Sequence, residues 1–158
     1  MLKITKQTDY GVMLMTLMAR SPADTLHNAR DLAAQSHVPQ PMVSKILKIL
    51  SRHDLLASQR GAKGGYHLAR AAADINLAQI VGALEGAIAM TDCVEESETS
   101  CDIRDFCGVA VNWQRINTAV RVALEAITLE EMMQTSVECR CDGEGALSAK
   151  QDDQSMTI

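Results

Sequence analysis

Apolar side chains recur at helical spacing almost from the start of the chain. Tyr10, Met13, Leu14, Leu17 and Met18 form one stripe, and Val12 and Met15 widen it to other sides. This pattern predicts a helix buried on two faces, with Thr8 as its cap. A short second helix is predicted to start near Asn28, with Leu32 and Ala33 inward, and to end around Gln35 to His37. After the turn SHVPQ a third helix runs through PMVSKILKILSRHD. Pro41 is tolerated in its first turn, and Val43, Ile46, Leu47 and Leu50 face the core. Two helices and a tight connection make a helix-turn-helix. The pattern then changes: LLASQRGAKGGYHLAR, residues 55 to 70, reads as a strand, a turn containing Gly61, Gly64 and Gly65, and a returning strand carrying Tyr66 and Leu68. Farther along, Val109, Trp113, Ile116, Val120, Ala123 and Ile127 alternate at spacings of four and three. A single helix cannot bury such a heptad-like seam, so the same helix of a second chain is its expected cover. Thr128 and Glu131 form a capping box that opens a short last helix.

Composition sharpens this reading. The 158 residues suit one domain with a helical extension, and 47% of them are apolar, enough to fill a core. With 3% aromatic residues and nine methionines, that core is aliphatic and helical rather than a β-sandwich. No apolar run is long enough to cross a membrane, and no small-residue cleavage site follows the first apolar stretch. A cytoplasmic protein with no membrane partner is expected.

The net charge of −5 conceals a division. Residues 1 to 70 hold ten Lys/Arg against four Asp, a surplus of six positive charges. The rest hold five Lys/Arg against sixteen Asp/Glu, a surplus of eleven negative ones. A basic unit joined to an acidic one fits a nucleic-acid reader with a separate control or assembly region, and equally two solvated faces of one domain. The third helix and the hairpin favour the first. Gln40, Ser44, Lys45 and Lys48 lie opposite the third helix's apolar stripe, on the turns from which a recognition helix meets bases. The hairpin reads as a wing whose Arg60 and Lys63 can enter a narrow minor groove. Its glycines allow positive φ and close approach to a sugar-phosphate backbone, and His67 beside them reads as a surface or packing residue rather than a ligand.

In TDCVEESETSCDIRDFC, residues 91 to 107, Cys93, Cys101 and Cys107 are spaced C-x7-C-x5-C among six acidic side chains. The spacing is too wide for zinc-ribbon knuckles and suits a loop wrapped around a cluster. A structural zinc, a thiol redox switch and unmetallated thiols are the other readings. Five cysteines in a reducing compartment favour metal or redox chemistry over disulfides. Cys139 and Cys141, in VECRCDGEG, could complete a ligand set, bind metal by themselves or act as a redox pair. No nucleophile motif or phosphate-binding glycine loop opening a helix is present, so an enzyme is not expected.

TDYGVMLMTLMA, PMVSKILKIL, RGAKGGYHLAR, INLAQIVGALEG and the three-cysteine loop follow one another in order, and together they resemble the IscR/NsrR-like winged-helix regulators over residues 1 to about 134. IAMTDC at 88 to 93 and NWQRIN at 112 to 117 look most like the branch regulating the SUF iron–sulfur assembly operon. The resemblance implies an iron–sulfur cluster held by Cys93, Cys101 and Cys107, 2Fe–2S being favoured over 4Fe–4S. It also implies a fourth ligand, either a histidine shortly after the third cysteine or an acidic residue of the partner subunit. Ala110 occupies the histidine position, which leaves Asp9, near the start of the first helix, as the match.

The expected fold is mainly α: a winged helix-turn-helix domain (1–86), a cysteine cluster-binding loop (87–107), dimerisation helices (108–135) and a disordered tail (136–158). The expected function is a homodimeric, cluster-dependent repressor of SUF-type genes on a palindromic or pseudo-palindromic duplex operator. A nitric-oxide-sensing repressor is the near alternative. An iron–sulfur carrier or assembly protein without DNA binding is the alternative from another class.

Overall fold

The computed structural model describes residues 4–22, 24–61, 63–91 and 106–134. In chain order the elements are α1 (Lys6–Ala19), α2 (Ala29–Ser36), α3 (Gln40–Arg52), β1 (Leu56–Gln59), β2 (Gly65–Leu68), α4 (Leu77–Glu85), α5 (Ala110–Glu125) and α6 (Leu129–Gln134). The fold is mainly helical, with one two-stranded antiparallel sheet.

The first helix begins earlier than the apolar pattern indicates. Thr5, with extended backbone, is its cap, and Thr8 lies within the first turn and is fully buried. A different demand claims Thr8: its hydroxyl donates to Glu85 Oε1 at the end of α4, at 2.5 Å. The same oxygen accepts from the Thr5 hydroxyl at 2.7 Å and from the Thr5 backbone N–H at 2.9 Å. Thr5 and Thr8 thus tie the start of α1 to the end of α4. The rest of α1 buries Leu14, Met15 and Met18 and packs against α3, α4 and α6, as a helix apolar on more than one side must.

The Asn28 carbonyl side chain caps α2 by accepting from Asp31 N–H at 2.8 Å, and the helix ends at His37 in the left-handed region (φ 56°). That residue turns the chain into α3, where Val43, Ile46, Leu47 and Leu50 are all fully buried. Asp54 (φ 55°) makes the next turn, into β1. The hairpin pairs Leu56 with Leu68, Ala57 with His67, Ser58 with Tyr66 and Gln59 with Gly65. Gly65 therefore belongs to the returning strand rather than to the turn. His27, just before α2, adds a bridge to Tyr66 through two backbone hydrogen bonds of 2.8 Å each, which docks the wing on the helix-turn-helix.

Asn76 and Gln79 form a capping box that starts α4. The expected box at Thr128 is also present: Thr128 N–H donates to Glu131 Oε2 at 2.8 Å, and Glu131 N–H to Thr128 Oγ1 at 3.1 Å. An Asn76–Thr128 bridge and buried Leu129 fasten the end of the chain's helical extension to the core. By contrast, α5 buries none of its residues. Of the predicted seam, Trp113 and Val120 are half-buried, while Val109, Ile116, Ala123 and Ile127 are exposed. Ile116 keeps 43% of its surface and Val109 51%, so the chain by itself leaves most of this apolar stripe in water.

Candidate nucleic-acid interface and cluster site

The helix-turn-helix and wing bring the predicted reading residues to the surface. Gln40, at the first position of α3, is exposed, as are Lys45 and Lys48, and Ser44 between them is half-buried. The reason is periodic: these residues lie opposite the four buried apolar positions of α3. Arg52, one turn beyond Lys48, is also exposed and extends the basic face. The sequence reading did not include it, although its spacing of four from Lys48 was visible.

Arg60 follows β1 and Lys63 lies in the turn, both exposed. Of the wing glycines only Gly61 has positive φ (127°). Gly64 and Gly65 are required for a different reason. A Cβ on Gly64 would lie 2.2 Å from the Gln59 carbonyl oxygen, and one on Gly65 would lie 2.8 Å from that of His27. Backbone, not DNA, sets these two glycines, and they let the hairpin fold tightly onto the entry of α2. A cleft of about 350 Å³ results, lined by Asn28 and Ala29 on one side and by Arg60, Gly64 and Tyr66 on the other. Asn28 was legible as the start of α2, but its closeness to the wing depends on the His27–Tyr66 bridge, which leaves no local sequence signal.

His67 is half-buried, and its Nδ1, like Nε2 of His27, is buried without a hydrogen-bond partner among the described residues. Burial pushes the His27 imidazole below its ordinary pKa, with Asp31 opposing the shift. Both histidines line a small cavity with Met18 and Leu68.

For the cluster ligands the structure describes two of the four predicted donors. Cys107 is half-buried, a free thiol just before α5. Asp9 is exposed on the first turn of α1, and its carboxylate has no partner among the described residues. Cys93 and Cys101 lie outside the described residues, as do Cys139 and Cys141. Ala110 starts α5 and supplies no side-chain donor. Glu85, next to Asp9's helix, was not anticipated. Its carboxyl is held below the usual range first by the Thr8 hydroxyl, then by the Thr5 hydroxyl and the Thr5 N–H.

This network yields a test. With a depressed folded-state pKa, the ionised Glu85 stabilises the α1–α4 junction above the ordinary glutamate pKa, and that contribution is lost as pH falls through the folded value. Thr8→Val removes a charge-assisted hydrogen bond from an exposed carboxylate and is expected to cost about 1 kcal/mol at neutral pH. In an NMR titration the Glu85 carboxyl should move back up toward its ordinary value. An unmoved Glu85 would show that the Thr5 donors alone hold it.

Residues 4–135 match the Rrf2 family, described as iron-dependent transcriptional regulators. The chain belongs to the Rrf2 family. It is similar to protein aau3 of Rhizobium meliloti, with 30% identity over 84% of this chain and 85% of that protein. It is also similar to the HTH-type transcriptional regulator NsrR of Halalkalibacterium halodurans, with 24% identity over 84% of this chain and 90% of the relative. Among solved structures, CymR, the global cysteine regulator of B. subtilis, superposes with a TM-score of 0.65 at 27% identity, covering 84% of this chain and 97% of that one. T. potens IscR gives a TM-score of 0.65 at 25% identity, covering 88% and 91%. This Rrf2 protein is therefore a winged-helix, DNA-binding transcriptional regulator and not an enzyme. No helix among its described residues is long and apolar enough to cross a membrane.

Proposed function

We propose that this Rrf2 protein is a homodimeric repressor of SUF-type iron–sulfur assembly genes, governed by a cluster held at Cys93, Cys101 and Cys107 with Asp9 of the partner subunit as fourth ligand. The observation that carries this reading is Asp9. Its neighbour Thr8 is buried and pinned to Glu85, so the backbone that carries the Asp9 carboxylate is fixed, yet no described residue uses that carboxylate. The donors fit an iron–sulfur group: Cys107 is an unpaired, half-buried thiol, and a carboxylate is a weak ligand suited to a labile iron site. When bound, such a cluster supplies a ligation state that oxygen, nitric oxide or iron supply can alter.

The chain's own residues link that site to DNA reading. Met90 N–H donates to Asn117 Oδ1 at 3.2 Å, so the segment entering the cysteine loop rests on the middle of α5, and Cys107 leaves the loop just before the same helix. From α5 the path continues through the Asn76–Thr128 bridge into the domain that carries α3. A second copy crossing the exposed stripe Val109, Ile116, Ala123 and Ile127 would set two α3 helices about one duplex turn apart, matching a palindromic or pseudo-palindromic operator. Nitric oxide is the second candidate signal for the same parts, as the resemblance to the nitric-oxide-sensing branch of these regulators implies. The test is anaerobic purification with absorbance and iron/sulfide analysis, then operator binding by holo and apo forms over a salt series. Absence of salt-dependent operator binding in both forms would point instead to a carrier or assembly role.

Arg60→Ala or Lys63→Ala should weaken operator binding by about 1 kcal/mol and lower the salt slope by roughly one, because each removes one cationic contact to phosphate or the minor groove. Fluorescence anisotropy across the same series measures both quantities. Substitutions at Gln40 or Ser44 should instead change which operator bases are preferred, since they lie on the groove-facing turns.

A further inference from the structure

Gly82 stands in the middle of α4, where glycine weakens a helix relative to alanine. The other mid-helix glycine, Gly11 of α1, has an evident reason: a Cβ there would lie 2.3 Å from Leu84 Cδ1. Gly82 has none among the described residues, since a Cβ added to it would meet none of their atoms within 4 Å. The open space belongs to a groove of about 750 Å³ between α4 and α5, a size that suits a small molecule.

The groove's walls mix small apolar residues with polar groups that are partly unused. Asn117 Oδ1 is engaged by Met90 N–H, but the Asn117 amide N–H₂ has no partner among the described residues. The same holds for Gln79, whose Oε1 accepts from Asn76 N–H and Arg70 while its N–H₂ stays free. Arg121 and Glu125 place opposite charges side by side and meet only through Arg121 Nε at 3.8 Å, which leaves the terminal guanidinium nitrogens to a ligand. His53, at the end of α3, closes one side. A dimer through the apolar stripe does not fill this space. At about 3.6 residues per turn, Asn117, Arg121 and Glu125 fall on one flank of α5, and Val109, Ile116 and Ile127 fall on another.

We propose that this groove is an effector site for a small zwitterion of the α-amino-acid class, its carboxylate paired with Arg121, its ammonium with Glu125, and its side chain lying over Gly82. Because His53 terminates the recognition helix and Asn117 anchors the segment entering the cysteine loop, an occupant touches both ends of the path from α5 to DNA. Its binding changes operator affinity by whatever factor its own affinity differs between the DNA-bound and free forms. The proposed contacts use Arg121 and Glu125 and no cysteine.

The test is calorimetric titration of the full-length protein with each common L-amino acid, repeated on Gly82→Leu and Arg121→Gln. At least one amino acid should bind the wild type at millimolar concentration or better. Both variants should bind it at least about tenfold more weakly, as should the wild type with its N-acetyl and carboxamide derivatives. Gly82→Leu should also melt about 2–4 °C higher in the absence of ligand, because leucine is the better helix former and fills open space. Arg121→Gln, an exposed change, keeps the test valid should the leucine disturb the fold. If no amino acid binds the wild type at about 10 mM, or if binding is indifferent to Arg121→Gln and to the derivatised ligands, the assignment fails.

Discussion

Gly65→Ala is expected to reduce operator affinity on the order of 10- to 100-fold while leaving the helical core folded. The added Cβ would stand 2.8 Å from the His27 carbonyl oxygen and 3.0 Å from its carbonyl carbon. These are backbone atoms, so no side-chain rotation relieves the contact, and the strand must move away. The two His27–Tyr66 hydrogen bonds would lengthen or break, at a cost of about 1 kcal/mol each. The undocked wing would then carry Arg60 and Lys63 out of register with α3, and their phosphate contacts would be lost together. Hydrogen exchange gives an independent readout. The Tyr66 and His27 amides should exchange much faster in the variant, while those of α3 keep their protection. Faster exchange at both amides with unchanged affinity would show that wing docking does not matter to DNA reading, and unchanged protection would show that the added methyl does not undock the wing.

That argument rests on a feature the sequence concealed. The order of the first elements was legible because apolar spacing switches from helical to strand-like at Leu55, and the buried set Leu14, Val43, Ile46, Leu47 and Leu50 follows that spacing, whereas α4 entered only as part of the motif INLAQIVGALEG. Local chemistry was legible too: Thr128 with Glu131 opens α6 as their spacing implies, and α2 starts beside Asn28 as expected. The failures involve partners distant in sequence. Thr8 looks like a cap because a hydroxyl stands before an apolar run, but its acceptor is Glu85, 77 positions away. Gly64 and Gly65 look like turn residues, yet what excludes a side chain is the Gln59 carbonyl in one case and that of His27 in the other. Arg52 was passed over for a simpler reason, since the basic face was read only over the first turns of α3. Along α5 the heptad spacing identified the stripe correctly but treated it as uniform. Trp113 and Val120 are in fact half-buried, and four other members stay open.

Cys107→Ala should abolish the visible absorbance of the anaerobically purified protein and uncouple operator binding from oxygen or nitric oxide, with helical content unchanged. The residue sits outside the buried core, so its loss removes a ligand and not a packing element. Asp9→Ala should behave differently. Three thiolates still suffice to assemble a cluster, but the fourth position passes to an exchangeable external ligand, and the absorbance should decay several-fold faster on exposure to air. Because Asp9 is exposed and makes no described side-chain contact within its own chain, this substitution should leave the melting temperature of the apo protein unchanged, which separates a ligand role from a structural one. Mixed dimers sharpen the test. If Asp9 serves the partner's cluster, a heterodimer of Asp9→Ala and Cys107→Ala subunits retains one intact set of ligands from the two chains when the Asp9-bearing and Cys107-bearing subunits differ. It should therefore show one slowly decaying cluster per dimer, where ligation within a single chain would leave none of that kind. Should the Asp9 variant match the wild type in spectrum and lifetime while a Cys139→Ala/Cys141→Ala double variant loses its absorbance, the fourth ligand lies beyond α6 and ligation across the dimer is wrong.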